Sequence, residues 1–340
     1  MSRVIMAGGN NLAQAVWCYH QGFLKAGYEV AYIPTAQKVD GRKVVPPERM
    51  AELRAALAGG ADMLFWWQAH NDASNSAADV KKLKAEFPDI PFVAHSFDDP
   101  FMMDHKTPDL SSFSHAVTCC SASKPWYADR GIMPIVGYPP CDADLHGAAE
   151  PTPEYACDIS FAATNTYQKA RFPQVFASRD RMIGAVLDLG TVRTYGYKNH
   201  NGCGWCDSAI PANVCETCAG YLHYLKLPAL FASSRINLCS HVRPDGYGYL
   251  NERVVEVMAS GGFLLCDRVA GIEHIFEEDK EIVLWSSLDE LREKAVWWLA
   301  HEAERAAVAV AARVKAFALF DNKTEAVKIH ARVTAGRSNR

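Results

Sequence analysis

The chain has 340 residues, 49% hydrophobic and 22% charged, a globular composition at a length that suits two domains. Its formal net charge of -4 gives no global attraction to nucleic acid or an anionic membrane, so any such partner has to meet a local basic patch. No run approaches the roughly 18 apolar residues of a membrane span, and the start MSRVIMAGGNN lacks the charged-then-apolar order of a secretory signal, so a cytoplasmic location is expected.

In chain order, RVIMAGG (3–9) reads as a strand ending in a glycine turn, and residues 11–28 carry apolar positions at helical spacing. EVAYIP (29–34) is a second strand, 47–60 a helix, DMLFWW (62–67) a strand, 76–88 a helix and PFVAHSF (91–97) a strand. SHAVTCC, the helical SASKPWYADRG and MPIVGYPP continue the alternation to residue 140. Such alternation predicts a parallel, doubly wound sheet. Residues 139–155, rich in proline, acidic and small residues, read as a linker. Strands at CDISFAA, TVRTYGY, RINLCS, GFLLCD and EIVLWS then alternate with helices within 171–190, 221–234 and 250–260, and one long helix is expected over 287–317. The fold class is therefore α/β with two Rossmann-like doubly wound domains. We place the first at 1–150 and the second at 151–318, with a C-terminal helical segment at 319–340 packing back on the first. Ligands of such sheets bind at the carboxyl ends of the strands, in a cleft expected between the domains.

Residues 235–317 have a specific order of parts: the strand INLCS, a polar loop with Asp245 and Gly246, a helix opening LNERVVEVMASGG, the strand FLLCD, then GIEHIFEEDKEIV and a terminal helix with LAHEAER. This order resembles the donor half of glycosyltransferases with the two-domain GT-B fold, in particular the CgeB-like group named for a spore-maturation protein. HSFDDP (95–100) and CDISFAATNTYQKAR resemble further parts of that group. The resemblance implies transfer of a sugar from a nucleotide-sugar, and it matches Glu256 to the glutamate that holds the nucleotide ribose. Many retaining relatives carry a second glutamate eight residues earlier, where this chain has Gly248, so retention or inversion stays open.

The residues give that reading a physical basis. A helix N-terminus stabilises a diphosphate. Gly246 and Gly248 would let backbone approach the phosphates, Asn251 stands at the helix start, and Arg253 can add a bidentate contact. Glu256 lies three residues on, on the same helical face; the alternative for Arg253 and Glu256 is a surface ion pair. In the first domain Gly8, Gly9 and Asn10 could approach the sugar or the acceptor, or simply form a tight turn. The sequence AGGNN lacks the full Gly-x-Gly-x-x-Gly pattern, which speaks against a dinucleotide oxidoreductase. Asp99, after a strand, and His70, after MLFWW, are the candidate catalytic bases; a turn cap and an inert loop histidine are the alternatives. Lys169, Arg171 and Arg193 are weaker candidates for the diphosphate.

Four of the eleven cysteines, Cys203, Cys206, Cys215 and Cys218, form two Cys-x-x-Cys pairs within 198–220. Two chelating thiolate pairs joined by a short loop predict a closed, structural zinc site, with disulfides as the alternative. No catalytic metal is expected. Lys198, His200 and His223 with Tyr195, Tyr197 and Trp205 place cationic and aromatic groups around this insertion. The design is similar to that of phage glycosyltransferases that modify hydroxymethylated pyrimidines in DNA. A DNA acceptor would also call on Arg42, Lys43, Lys81, Lys82 and Lys84. A glycan, protein or small-molecule acceptor, or a non-catalytic binding role, remain as alternatives.

Overall fold

The computed structural model describes residues 2–10, 12, 15–40, 42–97, 99, 107–165, 179–199, 204–207 and 210–335. Two compact units result. One comprises Met1–Asp142, Gly246–Glu252 and Phe320–Arg340; the other comprises Ala143–Asp245 and Arg253–Leu319.

The first unit is built on a six-stranded, all-parallel sheet of β1 (Arg3–Ala7), β2 (Glu29–Ile33), β5 (Met63–Trp66), β6 (Phe92–Ser96), β7 (His115–Thr118) and β8 (Met133–Val136), in the order β2-β1-β5-β6-β7-β8. β5 and β6 are buried along their whole length, as a central parallel strand covered on both faces must be. The order reverses between β1 and β5, which makes that pair of strand ends the topological switch point. A short antiparallel hairpin, β3 (Gln37–Val39) with β4 (Arg42–Val44), was not legible as strands because its residues are mostly exposed and carry no apolar alternation. The first helix, α1 (Val16–Lys25), begins later than its apolar periodicity suggests. α2 (Pro47–Ala58) starts on a proline, whose fixed φ suits the first turn.

The C-terminal helix belongs to this unit. Asn322 donates from Nδ2 to the Cys18 carbonyl at 3.2 Å and to Asp142 at 2.6 Å, and Lys25 pairs with the same buried Asp142 at 2.8 Å. A Cβ at Gly22 would run into the Asn322 backbone, so the glycine permits close approach of that helix to α1.

The second unit repeats the architecture with β9 (Cys157–Ala162), β10 (Val192–Tyr195), β11 (Cys218–Gly220), β12 (Ser234–Cys239), β13 (Leu264–Asp267) and β14 (Val283–Trp285). Its order, β11-β10-β9-β12-β13-β14, is all-parallel and switches between β9 and β12. Two expectations need correction. The stretch 287–317 is not one helix: it breaks at His301, which leaves the helical region with φ -112 and ψ 76, between Leu288–Ala300 and Glu302–Phe320. The cysteine-rich stretch is not a self-contained knob, because Cys218 opens β11, the edge strand of the main sheet. Trp298 is buried against Phe263 with ring centroids 4.8 Å apart, which is core packing, while Trp297 is half exposed and stacks on His301.

At the first switch point Gly8 has φ +105, and a Cβ there would run into the Trp67 carbonyl oxygen that closes over it from β5. Gly8→Ala is expected to lower stability by about 2–4 kcal/mol through backbone strain and overpacking. A melting temperature unchanged in thermal denaturation would show that the turn relaxes at no cost.

Candidate active site

In the second unit two arginines converge where β9 and β12 diverge. Arg253, near the start of the helix Glu252–Ala259, donates from Nε to the Ala162 carbonyl at the end of β9, 2.7 Å away. Its guanidinium carbon lies 4.9 Å from the centroid of the Phe161 ring, and its Nη1 lies 4.0 Å from the Cys239 Sγ at the end of β12. Arg179 was not singled out from the sequence. It is buried, donates from Nη1 to the Thr164 carbonyl at 2.7 Å and from Nε to Ser240 Oγ at 3.2 Å, and sits 5.6 Å from the same Phe161 ring. Its signal in the sequence was weak, since it follows a strand by many residues. Beside these arginines Asn165 is fully buried, and neither its amide oxygen nor its nitrogen has a hydrogen-bond partner among the described residues. Buried amides are normally paired, so this one is suited to a ligand's polar group.

Glu256 follows Arg253 by less than one turn and is buried at 5% exposure. That removes the exposed ion-pair alternative for it, since a surface pair needs a solvent-facing carboxylate. Asn251 is half-buried ahead of the helix.

The glycines before the helix lie in a loop of the first unit. The loop 246–252 packs within the first unit, where the Ala122 amide donates to the Tyr247 carbonyl at 3.1 Å and the Leu250 amide to the Cys119 carbonyl at 3.1 Å. Gly248 has φ +65, and a Cβ there would stand 3.0 Å from Ser121 Oγ. Backbone conformation and the Ser121 contact therefore account for this glycine. Gly246 is buried and accepts from the Tyr249 amide at 3.0 Å. Lys169 and Arg171 lie outside the described residues, and Arg193 is the second residue of β10, with Nη1 on the Glu154 carbonyl at 2.6 Å.

A second group of ionisable side chains lies below Arg253. Cys239 and Cys266 are register partners on β12 and β13, and His241 and Asp267 follow them at the strand ends. His241 Nδ1 is 2.7 Å from Asp267 Oδ1, and the His241 amide donates to Asp267 Oδ2 at 2.7 Å. Burial opposes charge on His241, but Asp267 and Cys239 more than offset it and raise its pKa. Burial likewise opposes the Cys239 thiolate, yet the Cys266 thiol, His241 and Arg253 bring that thiol below its usual value.

In the first unit the residues at the switch point are Gly8, Gly9 and Asn10 after β1 and Trp67 to Asn71 after β5. Gly8 is buried and accepts from Tyr32 Oη at 2.7 Å, Gly9 is half-buried with φ +67, and Asn10 is exposed. His70 is buried, with Nε2 3.2 Å from Asn71 Nδ2. His95, at the end of β6, was missed because it sits inside a strand pattern. It stacks on Trp67 at 4.5 Å, and its Nε2 lies 3.2 Å from Tyr19 Oη. Burial, then the charge of His70, holds its pKa well below the usual imidazole value. Among the described residues Trp67 Nε1, His95 Nδ1 and Ser96 Oγ are buried without partners. Asp99 is fully buried, and its charge helps burial raise the phenol of Tyr127 and the thiol of Cys120.

Of the four paired cysteines, Cys203 lies outside the described residues. Cys206 and Cys215, one from each pair, are joined as a disulfide with Cα atoms 4.8 Å apart, and Cys218 is a buried free thiol. The expectation of four thiolates is corrected to that extent: a zinc ion at this place requires the bond to be reduced first. Trp205 is also corrected from a contact residue to a core one, fully buried with Nε1 on the Ala163 carbonyl at 2.8 Å. Tyr197 and Tyr221, both exposed, stack at 5.4 Å between centroids with Lys198 exposed beside Tyr197.

The sequence profile of a family described as glycosyl transferase-like matches residues 178–331, a span that holds Arg179, Arg253 and Glu256. Among solved structures, sucrose-phosphate synthase from Thermosynechococcus elongatus matches over 100% of both chains with a TM-score of 0.69 and 9% identity. HepE of Anabaena, in complex with UDP-glucose, matches over 100% of both chains with a TM-score of 0.66 and 12% identity. AviGT4, a glycosyltransferase involved in avilamycin A biosynthesis, matches over 100% of this chain and 99% of its own with a TM-score of 0.63 and 14% identity. The fold is GT-B, and the enzyme is a glycosyltransferase. No curated protein matches the sequence, and no helix among the described residues is long and apolar enough to cross a membrane.

Proposed function

We propose that the enzyme moves a sugar from a nucleoside diphosphate-sugar to an acceptor hydroxyl. The observation that carries this is the pair of guanidinium groups, Arg179 and Arg253, flanking Phe161 at the switch point of the second sheet. Sugar transfer leaves a nucleoside diphosphate whose growing negative charge is stabilised by fixed donors aimed at it. Arginines already held by backbone carbonyls are oriented before the substrate arrives, so little ordering is needed in the transition state. Glu256 binds the ribose hydroxyls beside Arg253 on the diphosphate, and Asp99 or His70 takes the acceptor's proton. UDP and UDP-glucose bind HepE, which makes uridine the first nucleotide to try.

For the acceptor, the exposed Tyr197–Tyr221 stack with Lys198 and the exposed Arg42 and Lys43 of the first unit's hairpin favour an aromatic, anionic partner, and a 5-hydroxymethylated pyrimidine in DNA has both properties. Lys82 and Lys84 are less available, being held by Asp79 and by the Pro88 and Ile90 carbonyls. On this reading the enzyme is a DNA glycosyltransferase of the phage type, with a donor half of the CgeB-like kind. In the reduced state the set Cys203, Cys206, Cys215 and Cys218 would hold a structural zinc that braces the loop carrying Tyr197.

The test is a thermal-shift series with UDP, GDP, ADP, CDP and NAD(P), followed by transfer assays from the stabilising nucleotide's sugar to hydroxymethylated DNA and to unmodified DNA. One diphosphate at 100 times its Kd should stabilise the protein by about 2.7 kcal/mol. Stabilisation by NAD(P) alone, or by nothing, would sink the donor reading. Transfer that occurs only to free sugars or glycans would replace the DNA acceptor.

A further inference from the structure

The buried group at the ends of β12 and β13 is outside every role given above. Cys239, His241, Cys266 and Asp267 are each at least nine-tenths buried, and each offers one ligand atom within 4.8 Å of all the others. Four ionisable side chains packed together in an interior are costly unless they pair or share a cation. We propose that they form a second metal site, one that takes a thiophilic divalent cation of the zinc type.

The donor set fits that ion. Two cysteine sulfurs, one imidazole nitrogen and one carboxylate oxygen are ligands that zinc accepts in a closed, tetrahedral site. Ligands about 2.0–2.3 Å from a tetrahedral centre stand about 3.3–3.8 Å apart, so the observed group has to contract by about 1 Å at its widest to hold the ion. The backbone prepares this closure. Cys239 and Cys266 are opposed in register on adjacent parallel strands, and Cys266 Sγ already lies 3.6 Å from Asp267 Oδ1. His241 Nδ1 and Asp267 Oδ1 are hydrogen-bonded at 2.7 Å, and the cation takes the place of the proton between them as the two thiols release theirs.

The charge also balances. Two thiolates, one carboxylate and a neutral imidazole around a divalent ion leave one net negative charge. Arg253, with Nη1 4.0 Å from Cys239 Sγ, stands where its guanidinium neutralises it. The metal would thereby fix Arg253 at the switch point, a positioning role at one remove from the donor. The site is distinct from the two Cys-x-x-Cys pairs, which share none of its residues, and it is independent of the identity of donor and acceptor.

The experiment uses the full chain with Cys206→Ser and Cys215→Ser, which disables the other cysteine set. Purified with zinc in the medium, this protein should retain about one metal per chain by elemental analysis. Exchange for Co²⁺ should give a thiolate-to-cobalt charge-transfer band. Asp267→Asn, nearly isosteric and placed in the same background, should weaken Co²⁺ binding at least about tenfold. Cys266→Ser should diminish the charge-transfer band. Should the serine variant fail to fold, Asp267→Asn carries the test. A folded Cys206→Ser/Cys215→Ser protein that retains no metal and gives no cobalt band would overturn the site, as would cobalt binding that Asp267→Asn leaves unchanged.

Discussion

Glu256→Ala is expected to lower kcat/KM for the donor by about 10²-fold, through the loss of charge-assisted hydrogen bonds to the ribose, each contributing about 1.5–3 kcal/mol, expressed chiefly as a higher donor KM. Glu256 is a carboxylate at 5% exposure on a helix whose other buried residues, Val254, Val255, Val257, Met258 and Ala259, are apolar. A melt of the free variant, read beside its kinetics, separates loss of donor binding from loss of the fold around that buried group. Wild-type donor KM would remove Glu256 from the site.

The sheets were legible because their strands are short apolar runs bounded by turn residues, a pattern that survives in any central parallel strand. MLFWW and INLCS are of this kind, and both lead to a switch point. What could not be read was whatever depends on which chain ends meet. Arg179 is unremarkable in sequence and becomes a candidate only because β9 and β12 are neighbours and Phe161 stands between it and Arg253. Cys239 and Cys266 are scattered thiols along the chain, yet they are opposed in register once β13 pairs with β12. The Cys-x-x-Cys pairs erred in the other direction. Their spacing is so regular that it suggested a separate module, whereas β11 ties Cys218 into the main sheet. Gly248 illustrates a third limit: a glycine in a donor-half loop suggests phosphate approach, but its positive φ and its contact with Ser121 are sufficient reason for the residue.

The choice of base yields the other large effect. His70→Gln is expected to lower kcat by about 10²–10⁴-fold, the range for loss of a general base, with donor KM little changed. Three groups compete for the role at the carboxyl ends of β5 and β6. Burial and the neighbouring His70 charge both disfavour the protonated form of His95, which argues against it as the base. Asp99 is engaged with the interior, since its charge acts on the Tyr127 phenol and the Cys120 thiol. Its replacement by Asn should therefore appear in the melting temperature more than in kcat. His70 follows β5 at the first switch point, where its Nε2 lies 3.2 Å from Asn71 Nδ2. The melting temperature supplies an independent readout. If Asp99→Asn keeps turnover while His70→Gln loses it in a protein that melts normally, the imidazole takes the proton. If Asp99→Asn alone abolishes turnover in a protein that melts normally, the carboxylate does so and His70 serves to pack the turn.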